Sequence, residues 1–113
     1  MPESLQQGVL TSILGAAISG TGNPFCVPNS RTQTRVNITG AGTISGGTLI
    51  IEESEDPTFA GVWSQILSVA AITLTGGALQ TLHIFSTLGF IRARISANIT
   101  GGGTVAVTAM TGD

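Results

Sequence analysis

Residues 89–100 alternate between apolar and polar side chains, and this alternation constrains the fold more than any other feature of the chain. The apolar set is Ile91, Ala93, Ile95, Ala97 and Ile99, and the polar set is Arg92, Arg94, Ser96, Asn98 and Thr100. Successive side chains of a β-strand point to opposite faces, so the pattern predicts a strand with one buried and one solvated face. The alternation resumes at 104–109 after three glycines, which predicts a glycine-turn hairpin.

Shorter segments upstream follow the same pattern. Strands are predicted at 35–39, 48–53, 62–67, 71–75 and 79–85, with an edge strand near 25–27, and glycine-rich turns separate several of them. The strand at 71–75 is expected to turn Ile72 and Leu74 inwards, and the two glycines after residue 75 predict a second hairpin. The apolar spacing of residues 9–18 fits a strand, a short helix or an extended arm.

These segments, within 113 residues, predict a single all-β domain. We expect a β-sandwich or jelly roll of about seven to eight short antiparallel strands with an irregular N-terminal arm. Residues 1–30 are predicted to be the arm and a loop, and residues 31–113 the sandwich core.

The scarcity of charge limits the partners. Only 9% of residues are charged, Lys is absent and the formal net charge is −2, so no basic patch for nucleic acid is expected. A surface with few charges is unusual for a freely diffusing monomer, and we expect other subunits to cover part of it. Residues 9–18 are too short to span a bilayer, and residues 1–7 lack the basic segment of a secretory signal, so we expect a soluble, unprocessed chain.

The chain offers few side chains for catalysis. His83 is the only histidine and Cys26 the only cysteine, and no motif supplies an orienting third residue. The acidic run 52–56 lacks the ligand spacing of a calcium loop and is expected to be a solvated turn. We therefore expect neither enzyme activity nor a cofactor or metal; a small hydrolase would need His83. Trp63 could be a core anchor or a stacking platform for sugar.

Residues 47–113 resemble small virion proteins of tailed bacteriophages. The features that carry the resemblance are Gly47-Thr-Leu-Ile-Ile-Glu-Glu-Ser-Glu-Asp-Pro, Trp63-Ser-Gln-Ile-Leu, Gly89-Phe-Ile-Arg-Ala-Arg-Ile-Ser and Gly101-Gly-Gly-Thr-Val-Ala-Val-Thr. The similar chains are head decoration or cement proteins with a β-sandwich or jelly-roll fold, which clamp neighbouring major capsid subunits. The resemblance implies a structural protein on the capsid exterior, made in the host cytoplasm.

The predicted partners are therefore the major capsid protein and further copies of this chain, with no nucleic acid and no membrane. Leu10, Ile13 and Leu14 are expected to contact a neighbour as part of a strap, and Arg92 and Arg94 to pair with a neighbour's acidic turn or to lie on a solvated sheet face. The alternative function is a receptor-binding or carbohydrate-binding module of a tail fibre or adhesin.

Overall fold

The computed structural model describes residues 10–26, 33–58, 60–84 and 89–112, which form nine β-strands and one short 3-10 helix. The strands are β1 Thr11–Ala17, β2 Gly20–Thr21, β3 Phe25–Cys26, β4 Gln33–Ala41, β5 Gly46–Ser54, β6 Ser64–Ala70, β7 Leu79–Ile84, β8 Phe90–Thr100 and β9 Thr104–Gly112. The 3-10 helix, Ala71–Leu74, lies between β6 and β7. The predicted all-β class is confirmed.

The strands form two antiparallel sheets. The first sheet has the order β1-β9-β4-β7, and the second has the order β2-β8-β5-β6, with β3 also pairing with β8. Because β2 and β3 both lie along the same side of β8, they act as one interrupted strand. When β2 and β3 are counted as one strand, the described residues form eight strands. Renumbered 1 to 8 along the chain, these have the order 1-8-3-6 in the first sheet and 2-7-4-5 in the second, which is the strand order of a jelly roll.

The glycine turns do not make the predicted hairpins. β8 lies in the second sheet and β9 in the first, so residues 101–103 carry the chain from one sheet to the other. The hairpin prediction was wrong because alternation indicates which side chains face the core and does not indicate which strands pair. A Cβ on Gly103 would lie 2.4 Å from the carbonyl oxygen of Ala41, so this crossing packs backbone against backbone.

Residues 71–75 also differ from their predicted strand. Residues 71–74 form the 3-10 helix, in which Ala71 and Leu74 are buried and Ile72 is exposed. The predicted inward position of Ile72 was therefore wrong. β7 pairs with β4 and not with this segment. Four residues of 3-10 helix and a glycine turn are enough to lead the chain from the edge of the second sheet to the edge of the first.

The core lies between the two sheets. It includes Val36 and Ile38 from the first sheet, and Leu49 and Ile51 from the second, all fully buried. The predicted inward faces of β8 and β9 are confirmed except at Ala97, which is exposed. The pairing of β8 with β5 shifts register on both sides of Ala97, and these irregularities turn its side chain outwards.

Residues 11–26 belong to the two sheets. β1 pairs with β9, and the backbone amide of Asn23 donates to the carbonyl oxygen of Ile13 at 2.9 Å, which ties the first sheet to the segment between β2 and β3. The predicted arm is therefore strand in this part of the chain. The rest of the predicted arm and loop, residues 1–9 and 27–30, lies outside the described residues.

Candidate functional site

A buried carboxylate on the outer side of the second sheet joins two arginines. Glu52 lies on β5 and is 2% exposed. Its neighbour on β8 is Arg92, whose Nε donates to Glu52 Oε2 at 2.6 Å, and the Nε of Arg94 donates to the same oxygen at 3.2 Å. The Glu52 carboxylate therefore accepts charge-assisted hydrogen bonds from two guanidinium groups of its own chain.

Trp63 completes this arrangement. It lies just before β6 and is 3% exposed, and the guanidinium carbon of Arg92 lies 4.0 Å from the centroid of its ring. Such a distance is typical of a cation–π contact. Trp63 is buried, yet it lies outside the main core between the sheets, so neither the predicted core anchor nor an open stacking platform describes it. We call Glu52, Arg92, Arg94 and Trp63 the Glu52 cluster.

The sequence did not predict this cluster. Glu52 was expected to lie in a solvated acidic turn, and that expectation was wrong for this residue because it lies within β5, where Arg92 and Arg94 of the neighbouring strand bind its carboxylate. The spacing contains a signal for it. Ile50 and Glu52 are two residues apart and so lie on the same face of one strand, and Arg92 and Arg94 likewise share a face of another. Both arginines already bind Glu52, and an additional contact with a neighbour stays a prediction.

The three predicted strap residues have different surroundings. Ile13 and Leu14 belong to the core of their own chain, whereas Leu10 is 54% exposed. Ile13 and Leu14 are therefore not available to a neighbouring subunit, which corrects that part of the strap prediction. A contact through Leu10 stays a prediction.

A pocket of about 310 Å³ lies beside the Glu52 cluster, where β5 ends and β6 begins. Its lining consists of Glu53, Ser54, Glu55, Asp56, Val62, Trp63 and Ser64, and we call it the acidic pocket. The backbone amide and the hydroxyl of Thr58 both donate to Asp56 Oδ1, and these hydrogen bonds lower the pKa of that carboxyl. In the described residues, no three His, Cys, Asp or Glu side chains lie together as metal ligands would.

Cys26 and His83, the single cysteine and the single histidine of the sequence, are not brought together. Cys26 is exposed on β3, at one edge of the second sheet, and His83 is exposed on β7, at an edge of the first sheet. The hydrogen bond between Asn23 and Ile13 places β1 beside the edge of the second sheet that β2 and β3 form. β7 is at the opposite edge of the first sheet from β1, so it lies on the other side of the sandwich from Cys26. This placement does not allow His83 to activate Cys26.

The outer face of the first sheet is broad and almost free of charge. The residues that alternate with its buried side chains are Ser12, Arg35, Asn37, Thr39, Ala41, Leu79, Thr81, His83, Thr104, Ala106, Thr108 and Met110. None of these is a carboxylic acid, and Arg35 and His83 lie together at one end, opposite each other on β4 and β7. The hydroxyl of Thr81 donates to Asn37 Oδ1 at 3.1 Å across the two strands.

The described part of the chain contains no helix of the length and hydropathy that crossing a membrane requires. No protein-family model matches the sequence, and no curated protein matches it.

Proposed function

We propose that this chain is a structural virion protein that binds and stabilises a capsid shell as a cement or decoration subunit. The observation that carries the proposal is the outer face of the first sheet, which spans four strands and, within the described residues, carries no carboxylate and a single arginine, Arg35. Burial of charged side chains against a partner costs much more free energy than burial of Thr and Ala side chains. The cores of protein interfaces are accordingly poor in charged residues.

The resemblance supports the same proposal, whereas the fold does not distinguish it from the alternative. Jelly rolls occur in viral capsid proteins and in lectins, so the fold by itself favours neither class. The resemblance of residues 47–113 to phage head proteins favours the capsid. Arg35 lies at one end of the outer face, where a rim charge can guide orientation while the uncharged remainder is covered.

The test compares particles with and without the protein, and two variants matched in chemistry. Thr39→Glu adds a charge to the outer face of the first sheet, and Ser68→Glu adds one to the outer face of the second; both positions are exposed on strands. We expect the wild-type protein and Ser68→Glu to bind shells in a fixed copy number and to raise the temperature at which shells rupture. Thr39→Glu should bind at least tenfold more weakly.

Absence of the wild-type protein from purified particles would contradict the proposal. Equal binding by both variants would leave a capsid role but would exclude this face as the contact surface. Circular dichroism spectra of the two variants serve as the control for folding.

The second candidate is a receptor-binding or carbohydrate-binding module, and the acidic pocket is the observation that favours it. Carboxylates accept hydrogen bonds from sugar hydroxyls, and Val62, which is 93% exposed, offers an apolar contact beside them. Against it, Trp63 is buried and Arg92 covers one face of its ring. Glycan-array binding that is lost in Val62→Asp and retained in Ser68→Glu would support this candidate over the first.

A further inference from the structure

Within the described residues, three of the four edges of the sandwich are irregular, and one is not. The pairing of β1 with β9 shifts register twice, that of β6 with β5 shifts once, and β2 and β3 are separate two-residue pieces. β7 pairs with β4 through six consecutive residue pairs without a shift. Bulges and interruptions discourage the addition of a further strand, whereas a regular edge is a template for one.

The hydrogen bonds of β4 determine which groups of β7 point away from the sheet. The amide of Gly40 donates to the carbonyl oxygen of Ala78 at 3.1 Å, in the register that continues along β7. Hydrogen-bonded and non-hydrogen-bonded pairs alternate in an antiparallel ladder. The amides and carbonyls of the odd-numbered residues, Leu79, Thr81 and His83, therefore point outwards from β7.

The side chains of β7 do nothing to block this edge. The strand Leu79–Ile84 contains no Pro, Asp, Glu or Arg, and the chain contains no Lys. Natural edge strands are usually protected by such residues. Leu79 is in addition 60% exposed.

We propose that β7 pairs with β7 of a second copy of this chain, antiparallel and about a two-fold axis, with Thr81 facing Thr81 of the second copy. This register joins Leu79 to His83 of the second copy and His83 to Leu79. It therefore pairs all three outward-pointing residues with one another. Each such pair exchanges two backbone hydrogen bonds, so every outward group of Leu79, Thr81 and His83 gains a partner.

The same register keeps the two faces of the strand aligned. In this register the numbers of two paired residues always add up to 162, so both are odd or both are even. The outer-face side chains of one copy therefore lie beside outer-face side chains of the other. A charged residue at the two-fold axis would face its own copy, and like charges directly opposite each other are destabilising. The absence of charge on β7 thus suits pairing with itself. The inference does not depend on the proposed function.

The test uses the full-length protein in sedimentation equilibrium at concentrations up to about 1 mM, which covers weak specific association. We expect wild-type protein to form dimers. Thr81→Lys and Thr81→Glu, each alone, should weaken dimerisation at least tenfold, because two like charges would meet at the axis. An equimolar mixture of the two variants should restore the dimer as a heterodimer, because opposite charges would then meet.

Thr39→Lys is the matched control, because Thr39 is exposed on the same face of β4, one strand further in. It should dimerise as wild type does, and circular dichroism should be the same for all variants. The proposal would be overturned if the wild-type protein were monomeric at about 1 mM. It would also be overturned if β7 paired only with an added extended peptide of a different sequence. Dimers that both Thr81 variants leave unchanged, or single variants that the mixture does not rescue, would also overturn it.

Discussion

At the scale of single residues, the most consequential feature is the carboxylate of Glu52. Removal of a charge from water is unfavourable, and Glu52 is tolerated at 2% exposure because two guanidinium groups bind it. The arginines keep more contact with water, with 21% of the Arg92 side chain and 36% of the Arg94 side chain exposed. The unfavourable desolvation is thus concentrated on the acid, and its two partners are close to solvent.

Glu52→Gln should lower the free energy of unfolding by about 2 to 3 kcal/mol, because it removes the charge that both arginines bind and leaves two like charges side by side. Urea denaturation followed by far-UV circular dichroism measures this change. Fluorescence is less suitable because Trp63 contacts Arg92.

The control for that variant is Glu55→Gln, which removes one negative charge from an exposed position. Its effect should stay within about 0.5 kcal/mol, as surface substitutions usually do. Equal effects of the two substitutions would show that the Glu52 cluster contributes no more than a surface ion pair does.

Sequence alone predicted the inward residues of β8 and β9, because the side chains of a strand alternate with a period of two. It did not predict the environment of Glu52, which depends on β5 pairing with a strand about 40 residues further along the chain. The prediction also left out Thr34, because the predicted strand began at residue 35. Thr34 has the same parity as the inward residues Val36 and Ile38, and its hydroxyl is buried without a hydrogen-bond partner in the described part of the chain.

At the scale of elements, β1 shows how tertiary packing resolves an ambiguous sequence. Residues 9–18 fitted three interpretations, and the edge of β9 selects the strand among them. The two register shifts between β1 and β9 bring the adjacent residues Ile13 and Leu14 both into the core, which a regular strand would not do. No period-two pattern could have predicted two neighbouring inward side chains.

Substitutions in and beside β1 distinguish a core strand from a strap. Leu14→Ala should lower the free energy of unfolding of the isolated protein by about 2 to 4 kcal/mol, because it leaves a cavity between the sheets. Leu10→Ala, at an exposed position, should change it by less than about 1 kcal/mol. Denaturant titrations of both variants measure the difference. If β1 served only as a strap, neither substitution would affect the isolated protein.

At the scale of the whole molecule, the jelly-roll order makes each sheet depend on strands that are distant in the sequence. Thr11 pairs with Ala109, and β9 lies between β1 and β4, so the first sheet lacks its centre until the C-terminal strand is in place. Within the described residues β9 is the only strand with which β1 pairs. Local turn signals were therefore sufficient to predict strands but not their neighbours.

This dependence on distant strands predicts slow, cooperative folding. Chains dominated by non-local strand pairing refold in milliseconds to seconds, because the entropy of closing long loops is lost before the contacts form. We expect one exponential phase in that range when refolding is followed by stopped-flow fluorescence of Trp63, which reports on the second sheet. A chain that ends at Gly103 should show no cooperative unfolding at all, because it loses Val105 and Val107 from the core and leaves β1 unpaired. Native-like Trp63 fluorescence in that shortened chain would mean that the second sheet folds without the first, and the two sheets would then be separate folding units.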